Sequence, residues 1–154
     1  MIRDGIKSVA VQGACHEKKW PYIISKFTRK PTKACYTDAL RYQVLAYKRI
    51  ITLEEMKACL ADGYPVVIGF SVYESFETQE VASTGIVPSP NLATERLLGG
   101  HAVLVVGYDT TTKRIIVRNS WGTGWGQAGY FTLPFEYITN RNLSDDFWTV
   151  TVEE

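Results

Sequence analysis

From Pro65 onward the chain is written in strand-length runs of β-branched and aromatic residues, and this texture limits its fold more than any other feature. The runs are PVVIGFSVY, HAVLVVGYD, RIIVRNSW, GYFTL and DFWTVTV, separated by turn-forming clusters. A branched Cβ loses χ1 freedom in a helix and packs well on a pleated face, so these runs predict strands. The polar segment YDTTTKR predicts a hairpin that makes Ala102 to Tyr108 and Arg114 to Asn119 antiparallel neighbours. The second half of the chain is therefore mainly sheet.

The first half reads differently. Ile2, Ile6 and Val9 recur at helical spacing, and Gly13 stands where such a helix could end. That helix starts almost at the first residue without a cap, which suggests that a further segment ordinarily precedes it. Thr52 and Glu55 form a capping box, Leu53, Met56 and Leu60 supply an apolar stripe, and Gly63 fits a left-handed cap. Glu74 to Leu98, with Pro88 and Pro90 and scattered polar residues, predicts a long loop. The expectation is one α+β domain over residues 1–154, mainly helical over 1–63 and β-rich over 64–154.

Composition excludes several function classes. Of 154 residues, 45% are hydrophobic and 12% aromatic, enough for a real core. Lys and Arg number 17 against 16 Asp and Glu, and no basic stripe invites nucleic acid or an anionic membrane. No apolar run approaches the roughly 20 residues that span a bilayer, and MIRDGIKSVA has neither the apolar stretch nor the cleavage pattern of a signal peptide. The three cysteines, Cys15, Cys35 and Cys59, lack metal-ligand spacing. No metal or other cofactor is expected, and one disulfide at most.

The chemistry gathers at the hairpin. His101 opens one predicted strand after Gly99 and Gly100, and Asn119 closes the next, so antiparallel pairing lets the two side chains meet. An imidazole that accepts a thiol proton needs a fixed tautomer, and an Asn oxygen bonded to its other ring nitrogen supplies one without adding charge. Trp121 is placed to shelter that bond from water. If this is right, a ring nitrogen of His101 lies within about 3.2 Å of the Asn119 side chain.

GGHAVLVVGYD followed by NSWGTGWGQAGYF closely resembles the His and Asn segments of papain-like cysteine peptidases. Residues 2–22 resemble the helix and Trp-Pro-Tyr segment of that family, and ADGYPVVIGF a later strand; VYESF and DFWTV are similar to its bacterial members in particular. The resemblance implies a papain-like α+β fold, of which this chain supplies the β-rich half and part of the helical half, and a peptide or protein substrate. It also implies His101 as catalytic base, Asn119 as its orienting residue and Trp121 as support. Gly69, Gly99, Gly100 and Ala102 would line the non-primed side, with Asp145 or Asp146 near the base of the second subsite and Trp125 on the primed side. The glycines could instead serve turns, and Trp125 could simply pack locally.

VQGACHEKKWPY looks at first like the nucleophile segment of such an enzyme. In the family the nucleophile precedes the His by roughly 130–150 residues, whereas Cys15 precedes His101 by 86. The motif also fails internally, because the match would put Lys18 at the nucleophile and Lys19 where an aromatic belongs, with Gln12 in the wrong segment for an oxyanion hole. Cys15 is expected to be a half-buried packing residue, His16 a solvated turn residue, and the nucleophile to lie outside this chain. Alone, such a chain would be inactive, and it would cover an exposed apolar face with an N-terminal partner chain or by self-association. A non-enzymatic peptide- or protein-binding module on a degenerate peptidase fold is the alternative.

Overall fold

The computed structural model describes residues 1–151. The chain divides into two compact units, one built mainly on Arg3–Tyr47 and the other on Lys48–Thr149.

In the first unit, helix α1 (Ile2–Gln12) buries Ile6 and half-buries Val9 on its apolar stripe. Gly13 ends it at φ 74°, its N–H donating to Val9 O at 2.9 Å. A Cβ there would lie 1.8 Å from the carbonyl oxygen of Ala39, so a side chain is excluded by space as well as by conformation. Two short 3-10 turns follow, Glu17–Lys19 and Ile24–Lys26, and then helix α2 (Lys33–Ala39), which buries Cys35, Asp38 and Ala39. The buried Asp38 carboxylate accepts from Lys19 Nζ at 2.7 Å and from the His16 N–H at 3.3 Å. His16 is exposed, with Nε2 2.8 Å from Tyr42 Oη. Strand β1 (Ala46–Arg49) leads out of this unit.

Helix α3 (Leu53–Ala61) opens the second unit, and its capping box forms as the Thr and Glu spacing requires: Thr52 Oγ1 accepts from Glu55 N at 3.1 Å while the Glu55 carboxylate accepts from Thr52 N. Met56 is fully buried beneath it. Next come β2 (Val66–Tyr73), helix α4 (Gln79–Thr84), β3 (Leu97–Asp109), β4 (Arg114–Arg118), β5 (Tyr130–Pro134), the short helix α5 (Glu136–Thr139) and β6 (Ser144–Thr151). The strands form one six-stranded sheet in the order β1-β6-β2-β3-β4-β5, and together with the helices this makes an α+β fold. The β2–β3, β2–β6, β3–β4 and β4–β5 pairings are antiparallel. Alternate residues of β2, β3, β4 and β5 point into one core of Val66, Ile68, Phe70, Val105, Ile115 and Phe131, all at 3% exposure or less.

Two expectations require correction. Glu74 to Leu98 is not a long loop: it contains a 3-10 turn over Glu74–Glu77 and α4, and its end already belongs to β3. The local signals were a Thr78 cap, whose Oγ1 accepts from Val81 N, and a left-handed Gly85, while the buried side chains of Phe76 and Val81 anchor the segment to the core. Arg114 then ties the segment to the sheet by donating to the carbonyl oxygens of Val87 and Thr132. Second, His101 does not open its strand, because β3 begins at Leu97 and pairs through Gly99 and Gly100 with Val72 and Ser71 of β2. The final strand begins at Ser144, and Val152, the last residue of DFWTVTV, lies outside the described residues.

Candidate active site

The register of the β3–β4 hairpin decides what meets at its end. Leu104 stands opposite Arg118, so His101 stands opposite the chain two residues beyond Asn119. β4 ends at Arg118, one residue short of the expected Asn119, and the chain that leaves it carries Asn119 and Trp121 to the His101 ring. His101 Nε2 lies 2.9 Å from Asn119 Oδ1.

That oxygen also accepts the backbone N–H of Ser120 at 2.8 Å. A donor on that side identifies the Asn119 atom as oxygen, so Nε2 of His101 must be the N–H partner of the shared bond. The neutral ring then carries its proton on Nε2 and leaves Nδ1 with a free lone pair, able to take a proton. Asn119 is 8% exposed, and its Nδ2 has no hydrogen-bond partner among the described residues. An unmatched buried donor costs about 1–3 kcal/mol, so this amide is held in place to accept rather than to satisfy itself.

Aromatic rings hold the imidazole on two sides. Trp121 stacks on it at 5.1 Å between centroids with a 19° interplanar angle, and Phe70, its register partner on β2, approaches at 5.8 Å. Trp121 is itself braced edge-on by Phe76 at 5.7 Å and Trp125 at 5.1 Å. Sequence reasoning missed Phe70 and Phe76. The signal for Phe70 was its place in the alternation of Val66, Ile68 and Val72, which puts it on the core face; that this face ends at His101 required the register of β2 on β3. Phe76 fell inside the segment read as loop.

The remaining candidates are distributed as follows. Gly69 pairs with Ala102 on one side and Asp145 on the other, and Gly99 and Gly100 continue the same strand pair. Alternation puts Gly69 and Ala102 on the face opposite the His101 ring. Ala102 borders an open depression of about 390 Å³ lined also by Val67, Leu104, Arg118, Asn119 and Ser120. Trp125 packs against the core next to Phe131 at 5.5 Å. Asp145 is engaged by Arg141 at 3.0 Å and Arg49 at 3.4 Å, while Asp146 accepts from Trp148 Nε1 at 2.6 Å. Among the described residues no cluster of His, Cys, Asp and Glu is built to hold a metal ion, and no helix is long and apolar enough to cross a membrane.

Loss of solvation, and then Cys35, raise the pKa of Cys15. Cys35 is buried with its Sγ 3.3 Å from Thr32 Oγ1, and Cys59 donates to Tyr64 O at 3.4 Å beside the end of α3.

Comparison with known proteins agrees with this geometry. The chain matches the family model described as papain family cysteine protease over residues 2–146. It is 41% identical over 158 residues to an uncharacterized peptidase C1-like protein of Acanthamoeba polyphaga mimivirus, covering 97% of this chain and 50% of that protein. It is 31% identical over 115 residues to cathepsin B-like cysteine proteinase 4 of Caenorhabditis elegans, covering 73% of this chain and 32% of the other. The crystal structure of xylellain, a cysteine protease from Xylella fastidiosa, superposes with a TM-score of 0.89 at 41% identity, over all of this chain and 62% of that one. The chain thus spans half or less of these curated relatives, and on both sequence and structure it belongs to the papain family of cysteine proteases.

Proposed function

We propose that this chain carries the general base and orienting amide of a cysteine peptidase, His101 and Asn119, and that a segment outside it supplies the nucleophilic thiol. The observation that carries this reading is the 2.9 Å bond from His101 Nε2 to an Asn119 oxygen already committed to accepting. It leaves Nδ1 as the proton acceptor. A thiol at Nδ1 gives up its proton there, and the thiolate attacks the carbonyl carbon of a peptide. The imidazolium then protonates the departing amine, and water, deprotonated by the same ring, hydrolyses the thioester. Asn119 keeps the ring in one orientation through both half-reactions, and Trp121 shields the bond that does so.

Two further observations support an external thiol. Cys15 is disfavoured as a thiolate, and Cys35 and Cys59 each have hydrogen-bond partners of their own. The exposed apolar residues Leu97, Leu98 and Trp121 around the hairpin suit a covering segment.

The test is a fluorogenic dipeptide amide assay on the chain alone and on the chain joined to, or co-expressed with, the polypeptide encoded immediately upstream. The chain alone should not turn over substrate. The completed protein should, and an epoxide thiol inhibitor should stop it. In it, His101→Ala should lower kcat/KM by about 10²–10⁴-fold or more, and Asn119→Ala by less, because orientation rather than proton transfer is lost. Inhibitor-sensitive cleavage by the chain alone would sink the proposal. A completed protein that binds peptides without cleaving them would favour the binding-module alternative.

A further inference from the structure

The catalytic reading uses none of the cysteines, and two of them lie together. Cys15 and Cys35 belong to the same unit and line one cavity of about 190 Å³, bordered also by Gly13, Pro31 and Tyr36. Cys35 is 3% exposed and Cys15 half-buried. Their proximity has an electrostatic signature: after loss of solvation, Cys35 is the principal group that raises the pKa of Cys15, both through its charge and through a side-chain hydrogen bond.

We propose that Cys15 and Cys35 are a redox modification site, closing a reversible disulfide across the segment that joins α1 to α2. The segment contains only two 3-10 turns, and its Tyr22, Ile24 and Phe27 are 83%, 72% and 84% exposed, so packing does little to hold it. Its two ends are already fixed. Gly13 presses against Ala39, Ala14 N donates to Tyr42 O at 3.3 Å, and Gln43 Nε2 donates to Val11 O at 2.8 Å. The two cysteines therefore share a cavity at a joint that the backbone has set, and a bond between them removes freedom mainly from the unfolded chain.

The oxidant is a small-molecule disulfide such as oxidised glutathione. One cysteine thiolate attacks a glutathione sulfur, forming a mixed disulfide and expelling glutathione thiolate. The second cysteine thiolate then attacks the protein sulfur of that mixed disulfide, forming the Cys15–Cys35 bond and releasing the second glutathione. Two electrons pass to glutathione, and the two cysteine protons end on the two glutathione thiols. Because the more accessible thiol, Cys15, resists deprotonation, bond formation should accelerate as pH rises above neutrality.

The experiment does not depend on the catalytic proposal. The full chain is incubated with oxidised glutathione, acid-quenched, unfolded and alkylated with N-ethylmaleimide before intact-mass and peptide analysis. One adduct, on Cys59, is expected after oxidation, and adducts on all of Cys15, Cys35 and Cys59 after dithiothreitol. A second reading uses the native fold. Reduction should lower the thermal midpoint of the oxidised chain by about 5–10 °C, and the Cys15→Ser and Cys35→Ser variants should show no such response to reductant. Adducts on all of the cysteines after oxidation, a bond to Cys59, a lasting glutathione adduct or a disulfide-linked dimer would each overturn the proposal.

Discussion

The two units use their apolar residues in opposite ways. In the sheet unit a continuous core runs from Ile50 to Phe147, with Met56, Phe76, Phe131 and Tyr137 at 1% exposure or less. In the helical unit the buried apolar side chains among the described residues are Ile6, Cys35 and Ala39, while Val11, Tyr22, Ile24, Phe27 and Leu45 are at least 63% exposed. The difference is one of geometry. A strand between two neighbours sends every second residue into a shared core, and each buried side chain meets partners from both sides. Short helices of seven to eleven residues joined by 3-10 turns bury one or two positions each and leave the rest to whatever else packs against them. Local order follows the same division: the sheet unit can position an imidazole by packing, whereas the helical unit relies on polar ties such as Asp38 with Lys19 and His16.

The largest effect is expected from removing a core ring of the sheet unit. Phe131 is fully buried between Phe70, Phe76 and Trp125, at centroid distances of 6.0, 5.5 and 5.5 Å. Phe131→Ala should cost about 3–5 kcal/mol by urea unfolding. It should also loosen the rings that brace Trp121, reported by a change in near-ultraviolet circular dichroism. A loss below about 1 kcal/mol, the size of an ordinary surface change, would mean that the sheet core is not closed as described.

A smaller effect should come from Asp38 in the helical unit, and it should depend on pH. The hydrogen bond from Lys19, followed by that from the His16 amide, holds the Asp38 carboxyl below its ordinary value in the folded chain. A carboxyl depressed on folding contributes stability above its unfolded pKa of about 3.9, and that contribution disappears as pH falls through the lower folded value. Asp38→Asn should therefore lower the urea midpoint near neutrality and converge with the wild type in strong acid. A difference that stays constant from neutrality down to acid would assign Asp38 a purely steric role.

The smallest effect should be at Phe27. At 84% exposure, Phe27→Ser should change stability by no more than about 0.5 kcal/mol. A loss above about 1 kcal/mol would show that this ring packs against something in solution, such as a second copy of the chain, and sedimentation velocity on the wild type and the variant would identify it.

Much of the sheet unit was legible because its signals are local. The β-branched run of β2, the hairpin turn before β4 and the Thr52 capping box are each set by a few adjacent residues, and each stands where the sequence puts it. The 3-10 turns and α2 of the helical unit were not legible, since lysine-rich stretches such as Lys26 to Lys33 carry neither periodicity nor caps; indeed Thr32 makes no side-chain cap bond to α2. The segment Glu74 to Leu98 misled for a related reason. Its two prolines lie beyond α4, and the features that order it, the burial of Phe76 and Val81 and the reach of Arg114 to Val87 and Thr132, come from distant strands.

At the candidate site, the residues able to carry the chemistry were readable along the chain. His101 follows Gly99 and Gly100 in one strand run, and Asn119 and Trp121 come just after the next run, across a short turn, a spacing set by local signals. Which atoms meet depends on how the segments pack. The pairing register and the Ser120 amide select Asn119 Oδ1 as the acceptor and so the tautomer of His101. The rings of Phe70 and Phe76, brought in by strand β2 and the turn that follows it, hold the imidazole and its Trp121 cover in place. Periodicity is a property of neighbours along the chain, whereas register and ring contacts belong to segments that meet only after folding.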